Sequence, residues 1–308
     1  MNGFTRRPLG KTGLQVSPLG IGGGGCISNS DLLYAFEQGI NYFFYSTDLH
    51  HTAYEQSRDA IRQLCGHSST VREQVVLATV SYVNHPKKLA GVLCDLLMDL
   101  GLDYIDVFHW GWITESEDML SLIKGARAVQ RNVQAVQFIR EIQQAWQSTE
   151  QQVEEVNREL VQRGLVRHVG ASFHSRRQAR TWMRNLDVLM LRYNIAHLGA
   201  ESEIVPHLYR DKARDPGIVV FNTAHQHRTL FSQPPAGYRA GEYLPTTPDC
   251  YRFALTQEWV DLVLTGPHNR HEVDEALKAL EQGPMSEEEC TLMRKYGERC
   301  REEVSGNR

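Results

Sequence analysis

Several features that would assign a function on sight are missing from this sequence of 308 residues. No apolar run is long enough to span a bilayer, and the segment from Met1 to Pro8 lacks the apolar core of a signal peptide. A net charge of −4 gives no basic footprint for nucleic acid. We therefore expect a protein with neither a membrane span nor a nucleic-acid partner.

Disulfide frameworks and zinc-type cysteine pairs are also missing. No CxxC pair occurs, and the chain is far longer than a small disulfide-stapled domain. The six dispersed cysteines are Cys26, Cys65, Cys94, Cys250, Cys290 and Cys300. They are typical of reduced thiols, which predicts a cytoplasmic protein. The content of 41% hydrophobic and 23% charged residues is that of an ordinary globular chain.

The most informative stretch runs from Gly39 to His51, where an apolar run changes abruptly into a polar one. Its consecutive aromatic residues are typical of a buried strand. Hydroxyl, carboxylate and imidazole groups then follow between Ser46 and His51. Because the carboxyl ends of parallel strands collect ligands and chemistry, this stretch predicts one edge of a functional site.

Eight strand-like runs alternate with helical patterns along the chain, which predicts βαβ units and a parallel sheet. The runs begin near Leu19, Tyr42, Val75, Tyr104, Val166, Val188, Ile218 and Val260. No GxGxxG motif follows the first run, so an open dinucleotide-binding sheet is disfavoured. We predict a single α/β domain over residues 1–308, a (β/α)8 TIM barrel preceded by an amino-terminal hairpin at Leu9 to Val16.

One segment, residues 113–148, does not fit the alternating pattern and predicts a helical insertion after strand 4. Its apolar residues recur at the spacing of one helix face. They are Val129, Val133, Val136, Ile139, Ile142 and Trp146. The insertion is interpreted as an extra helix packed on the barrel, or alternatively as a lid or a homodimer contact.

Several motifs together resemble the aldo-keto reductase superfamily, in the order in which that family carries them. The matching stretches are Leu9 to Gly20, Leu100 to Val107, Gly164 to Ser172, Arg192 to Asn194 and Val263 to Pro267. The resemblance covers nearly the whole chain. It implies a (β/α)8 barrel that binds NADPH in an extended form without a Rossmann motif.

The resemblance also implies a catalytic set of tyrosine, lysine, aspartate and histidine, and none of the four is found in place. The tyrosine donates a proton, because hydride arriving at carbon leaves charge on the carbonyl oxygen. The aspartate position falls on Phe44 or Tyr45, and the tyrosine position falls on Leu49 or His50. The lysine position falls on Val80, and the histidine position falls on Gly111. A larger shift to Asp48 and Tyr54 restores two members but no lysine. We therefore predict negligible reduction of common aldehydes.

The resemblance implies a set of cofactor contacts, and this sequence matches some of them but not others. Ser172 matches the serine that contacts the nicotinamide amide, and Phe221 supplies an aromatic ring at the end of strand 7. The polar partners expected beside them are Phe173 and Met190 instead. The phosphate-binding residues implied after strand 8 are Gly266, Asn269 and Arg270. NADP(H) is therefore the implied cofactor, although the loss of ring contacts leaves its binding open.

Histidines are abundant near the predicted strand ends. They are His50 and His51, His109, His174, and His225 and His227. Strand alternation turns His109 to the inward side, like the histidine position of the family. The group is interpreted as acid/base catalysts, as a metal site of His50, His109 and Asp48, or as solvated loop residues.

Three functions follow from these observations. The leading hypothesis is a non-redox enzyme on a small carbonyl-bearing molecule, with His50 and His109 transferring protons and Asp48 orienting one imidazole. The second is an NADP(H)-dependent oxidoreductase with an unusual proton donor, Tyr45, Tyr54 or His50. The third is a non-catalytic binding protein. No resident metal is assigned.

Overall fold

The eight predicted strands pair in parallel and close into a barrel, which confirms the predicted fold class. The computed structural model describes residues 4–22, 26–46, 51–82, 86–113, 150–173, 175–224, 238–239 and 241–306. The hairpin strands are β1 (Arg7–Pro8) and β2 (Gln15–Val16). The barrel strands are β3 (Leu19–Gly22), β4 (Tyr42–Ser46), β5 (Val76–Ser81), β6 (Ile105–Ile113), β7 (Val166–Phe173), β8 (Val188–Arg192), β9 (Gly217–Phe221) and β10 (Leu262–Thr265).

Helices follow most of the barrel strands and cover the outside of the sheet, as βαβ units require. The described helices are α1 (Asn29–Glu37), α2 (His51–Tyr54), α3 (Arg58–Cys65), α4 (Pro86–Leu100), α5 (Glu150–Gln162), α6 (Arg176–Trp182), α7 (Ala200–Glu203), α8 (Thr247–Thr256), α9 (Arg270–Glu281) and α10 (Glu287–Gly306). Within the described part of the chain, no helix is long and apolar enough to cross a membrane. The sequence predicts a helix over Pro86 to Leu100, and α4 has these bounds.

The sequence predicts a helix from Ser30 to Gln38 with Ser30 as its cap, but α1 begins one residue earlier, at Asn29. Ser28, not Ser30, is the capping residue, and its hydroxyl accepts a hydrogen bond from the Asp31 backbone N–H. Both serines satisfy the sequence preference for a cap, but only Ser28 has the extended backbone that a capping residue needs.

The insertion predicted over residues 113–148 overlaps the barrel by one residue, because Ile113 is the last residue of β6. Residues 114–149 lie outside the described residues. The predicted helix and the predicted homodimer contact through it therefore stay predictions.

The amino-terminal hairpin closes the bottom of the barrel. Leu9 is fully buried, and a Cβ atom at Gly217, the first residue of β9, would lie 2.6 Å from Leu9 Cγ. Glycine at this position therefore makes room for the leucine side chain. The Lys11 backbone N–H donates to Asp215 O at 2.8 Å, which fixes the hairpin against the loop before β9.

A repeated hydrogen bond joins the strands in pairs at their amino-terminal ends. In each pair, a side-chain oxygen near the start of the second strand accepts a backbone N–H from the first strand or the residues just before it. The bonds are Ser17 N to Asn41 Oδ1 at 2.7 Å, Leu77 N to Asp106 Oδ2 at 2.9 Å, Val169 N to Asp187 Oδ2 at 3.1 Å and Ile218 N to Asp261 Oδ2 at 2.8 Å. They link β3 to β4, β5 to β6, β7 to β8 and β9 to β10.

Basic side chains accompany the three carboxylates of this rim. Asp106 is 1% exposed and pairs with Arg72 at 2.8 Å and with Arg167 at 3.1 Å. Both guanidinium groups also lie over the Tyr104 ring, at 3.9 Å and 4.7 Å from its centroid. The Asp106 carboxylate is thus buried with its charge paired and its oxygens hydrogen-bonded, as a buried ion requires.

Burial and hydrogen bonding compete at the other two rim carboxylates. Burial alone would raise the pKa of Asp187, but hydrogen bonds from His168 and the Val169 N–H outweigh it and hold the pKa below the usual value. At Asp261 burial prevails, so its pKa is raised despite the charge of Lys212.

Large and small side chains alternate inside the barrel lumen. A Cβ atom at Gly20 would lie 2.8 Å from Tyr42 Cδ1, and one at Gly170 would lie 2.8 Å from His109 Nδ1. Tyr42 Oη and His109 Nε2 are 3.4 Å apart, and both side chains are fully buried. This polar pair fills the lumen because two glycines leave room for its rings.

Burial strongly affects the ionisation of this pair. Desolvation lowers the pKa of His109 to about 3 and raises the pKa of Tyr42 well above its usual value. Both groups are therefore neutral at physiological pH.

Replacing Asp106 by alanine is expected to lower the free energy of unfolding by about 3–5 kcal/mol, because it leaves Arg72 and the Leu77 N–H without their buried acceptor. Urea denaturation measures this loss. Glu159→Gln removes an exposed ion pair with Arg163 (3.0 Å) and serves as the control. It should change stability by less than about 0.5 kcal/mol. Equal losses in the two variants would contradict the role given to the rim.

The free energy of unfolding is also expected to fall as the pH is lowered, because of His109. The unfolded chain binds a proton at this histidine near pH 6.5, while the folded chain does not until about pH 3. The unfolded state therefore gains the proton first, and acidification from about pH 7.5 to about 5.5 costs about 1.4 kcal/mol. His109→Gln should show a shallower decline by that amount in denaturation curves measured at the two pH values. Parallel declines would contradict the buried, neutral imidazole.

Candidate functional site

The carboxyl ends of the barrel strands form a mouth, and strand alternation determines which side chains line it. Tyr42 and Phe44 face the lumen, where both contact His109. Phe43 faces outward against Phe36 of α1, with ring centroids 6.5 Å apart. Extending the alternation through the paired registers gives the residues nearest the mouth. They are Gly22, Ser46, Val80, Gly111, Ser172, Arg192, Phe221 and Leu264.

Three positions that the resemblance gives to catalytic groups are among the lumen-facing residues. Phe44, Val80 and Gly111 stand where the family carries aspartate, lysine and histidine, and Phe44 pairs in register with Ala78. None of the three side chains is ionisable. The mouth therefore lacks a cation from β5 and an imidazole from β6 at these positions.

Tyr45 does not face the lumen, contrary to its predicted role as a proton donor. It follows Phe44 by one residue and lies on the opposite side of the sheet, where its ring meets that of Tyr54 at 5.6 Å. Burial raises the pKa of the Tyr45 phenol. Tyr54 is 7% exposed and also contacts Phe44, at 6.2 Å between ring centroids. Tyr54 thus touches a lumen-facing residue.

His109 faces inward, as strand alternation predicts, but it does not line an open pocket. The imidazole is 0% exposed, and its Nε2 points to Tyr42 Oη. With a pKa of about 3, it neither holds a proton to donate nor accepts one readily near neutral pH. His109 is predicted to transfer protons at the mouth, but its imidazole lies below the mouth, inside the lumen.

Asp48, His50, His174, His225 and His227 lie outside the described residues. Their predicted roles stay predictions, including the metal site of His50, His109 and Asp48. Within the described ranges, no group of three His, Cys, Asp or Glu side chains is arranged to hold a metal ion.

Tyr82 lies at the mouth and is a residue that the sequence analysis missed. It follows β5, and alternation from Val80 turns it toward the lumen. A Cβ atom at Gly111 would lie 2.4 Å from Tyr82 Cδ1 and 2.8 Å from Cε1. The Tyr82 ring, 7% exposed, therefore occupies the space that a larger side chain at Gly111 would need. The available signal was its spacing, two residues beyond Val80.

Ser172 and Phe221 lie on opposite sides of β8 at the mouth. Ser172 pairs in register with Met190, and Phe221 pairs with Arg192. Ser172 is largely buried and Phe221 is partly exposed. The Ser172 hydroxyl and the Phe221 ring thus lie on either side of β8, whose lumen-facing residues here are Met190 and Arg192. Phe173, where the family carries a polar partner, faces away from the lumen and is 1% exposed.

The implied phosphate-binding residues lie together at the start of α9. Gly266 is exposed, and the Asn269 side chain caps the helix by accepting the Glu272 N–H at 3.1 Å. Arg270 is 56% exposed at its side chain and lies over the Tyr34 ring, 4.3 Å from the centroid. Asp31 approaches Arg270 Nε to 3.9 Å, so an incoming phosphate would compete with a carboxylate there.

Solved structures similar to this chain include an aldo-keto reductase from Bacillus halodurans. In its holo form the identity is 20%, the TM-score is 0.71, and 96% of each chain is covered. In its apo form the identity is 21% and the TM-score is 0.65, again with 96% of each chain covered.

A Pseudomonas aeruginosa protein assigned to the aldo-keto reductases is 17% identical with a TM-score of 0.63, over 90% of this chain and 94% of that one. A protein assigned as a 2,5-diketo-D-gluconic acid reductase B is 15% identical with a TM-score of 0.61, over 95% of this chain and 92% of that one. Neither the protein-family models nor the curated proteins contain a match.

These similarities extend over almost the full length of both partners, and they agree with the closed barrel and amino-terminal hairpin. At this level of identity they establish the fold. The chain therefore has the fold of the aldo-keto reductases.

Proposed function

We propose that this protein is an NADP(H)-dependent oxidoreductase that acts on a small carbonyl compound with an unusual proton donor. The observation that carries the proposal is the lumen-facing pair Ser172 and Phe221 at the mouth, with Arg270 exposed at the start of α9. A serine hydroxyl suits the nicotinamide amide, an aromatic ring suits the nicotinamide face, and a guanidinium suits the 2′-phosphate.

The fold shared with an aldo-keto reductase from Bacillus halodurans supports the same proposal.

When bound, NADPH supplies the hydride that reduces a carbonyl carbon. The protein must then supply a proton to the carbonyl oxygen, because charge develops there as the carbon is reduced. Tyr82 is the donor that we infer, since its phenol ring lies on the lumen side against Gly111. His50 remains an alternative donor from the sequence analysis.

The histidine-driven, non-redox function has less support from the described residues. It needs two imidazoles that share one pocket and titrate near neutral pH. His109 is fully buried with a pKa of about 3, so it supplies neither property. We therefore place the redox function first.

Cofactor fluorescence tests the binding part of the proposal. NADPH should titrate to saturation, and Arg270→Gln should weaken NADPH binding about tenfold while changing NADH binding little, because the guanidinium meets only the 2′-phosphate. Phe221→Ala should weaken both cofactors about tenfold by removing a stacking surface. Arg180→Gln, an exposed residue of α6, is the matched control and should bind like the wild type. No saturable binding by the wild type would contradict the proposal and favour a binding protein of another kind.

Tyr82→Phe tests the proton donor. It keeps the ring against Gly111 but removes the hydroxyl, so turnover of an accepted carbonyl substrate should fall by about 10² to 10⁴. The affinity for NADPH should stay within about threefold of the wild type, because no cofactor contact is assigned to this side chain. Single-turnover oxidation of bound NADPH gives the rate directly. Unchanged turnover would assign the proton to another group, with His50 the next to test.

A further inference from the structure

Two arginines lie at the mouth of the barrel next to Phe221. Arg192 is the last residue of β8, alternates with lumen-facing Met190 and pairs in register with Phe221. Arg176 is the first residue of α6, which begins just after β7 ends at Phe173. Both cations therefore lie at the carboxyl ends of neighbouring strands.

Neighbouring side chains hold each guanidinium in place. Arg192 Nη2 donates to His197 Nε2 at 2.8 Å, so this imidazole nitrogen accepts and carries no proton. Arg176 Nε donates to Glu203 Oε1 at 2.6 Å. A Cβ atom at Gly199 would lie 2.5 Å from Arg176 Cζ, so glycine there makes room for the guanidinium.

The two arginines repel each other in a partly buried setting. Burial lowers the pKa of Arg192, and the positive charge of Arg176 lowers it further. Glu203 offsets one of the two charges, and His197 is neutral in the tautomer that accepts from Arg192. An oxyanion bound by both guanidinium groups would relieve the repulsion between them.

We propose that Arg192 and Arg176 bind an oxyanion, a carboxylate or a phosphate, at the mouth of the barrel. Guanidinium groups suit this chemistry because their planar N–H donors match the spacing of two oxygens in a carboxylate or phosphate. The contacts with His197 and Glu203 hold both guanidinium groups in place, which reduces the conformational entropy lost on binding.

The position next to Phe221 defines the substrate class, and this step rests on the proposed function. If the nicotinamide stacks on Phe221, the oxyanion lies a few atoms from the reacting carbonyl. The substrate is then a small carbonyl compound that carries a carboxylate or phosphate, rather than a neutral aldehyde. The same site could instead receive a phosphate of the cofactor, and the experiment separates the two sources.

Calorimetric titration of the cofactor-free protein with succinate and with inorganic phosphate tests the site itself. Saturable binding is expected in the wild type, weakened about tenfold or more in Arg192→Gln and Arg176→Gln. Arg180→Gln, the same change on the outer part of α6, should bind like the wild type. Gly199→Ala keeps every charge, and its backbone (φ −57°) accepts alanine without strain. It should also weaken binding, because its methyl group displaces the Arg176 guanidinium.

Repeating the succinate titration with saturating NADPH identifies the source of the oxyanion. Retained binding assigns the site to the substrate, and kcat/KM should then favour succinic semialdehyde over butanal by about tenfold or more, a preference that Arg192→Gln removes. Displacement by NADPH assigns the site to a cofactor phosphate. Absence of NADPH binding would defeat the proposed function without affecting the titration of the cofactor-free protein. Absence of saturable binding of both anions, or equal affinities in Arg192→Gln and Arg180→Gln, would overturn the oxyanion site.

Discussion

The barrel depends on side chains that tie its strands together in pairs at their amino-terminal ends. Four side chains each accept a hydrogen bond from a backbone N–H of the preceding barrel strand or of the residues just before it. They belong to Asn41, Asp106, Asp187 and Asp261. A slip of one residue in any pair would turn lumen-facing side chains outward, since side-chain direction alternates along a strand. The rim bonds therefore hold the register that the lumen packing and the mouth require.

This arrangement separates stability from function along the barrel axis. The buried carboxylates and their cations occupy the amino-terminal rim, the Tyr42–His109 pair fills the lumen above it, and the candidate site lies at the opposite end. Residues at the mouth can change without disturbing the rim, which agrees with the use of this face for chemistry in TIM barrels.

The sequence predicts the strands, most of the helices and the closed barrel, because hydrophobic periodicity and turn residues are local signals. It also predicts the inward direction of His109, by alternation from Gly111, the histidine position that the resemblance implies. It cannot predict that Tyr42, Phe44 and Gly170 bury this imidazole, since those residues are distant in sequence. The sequence leaves Phe44 and Tyr45 as alternatives for one position, because a single residue decides which side of the sheet a side chain takes. Arg192 and Arg176 come together only through the pairing of β7 with β8.

We propose that the mouth binds NADP(H) although Phe44, Val80 and Gly111 stand at positions to which the resemblance gives catalytic groups. A crystal structure of the protein with NADP(H) bound tests this proposal. We expect a nicotinamide ring stacked on Phe221 with its amide at Ser172, and a 2′-phosphate on Arg270. A nicotinamide located away from Phe221 and Ser172, or a mouth without cofactor density at saturating NADPH, would contradict it.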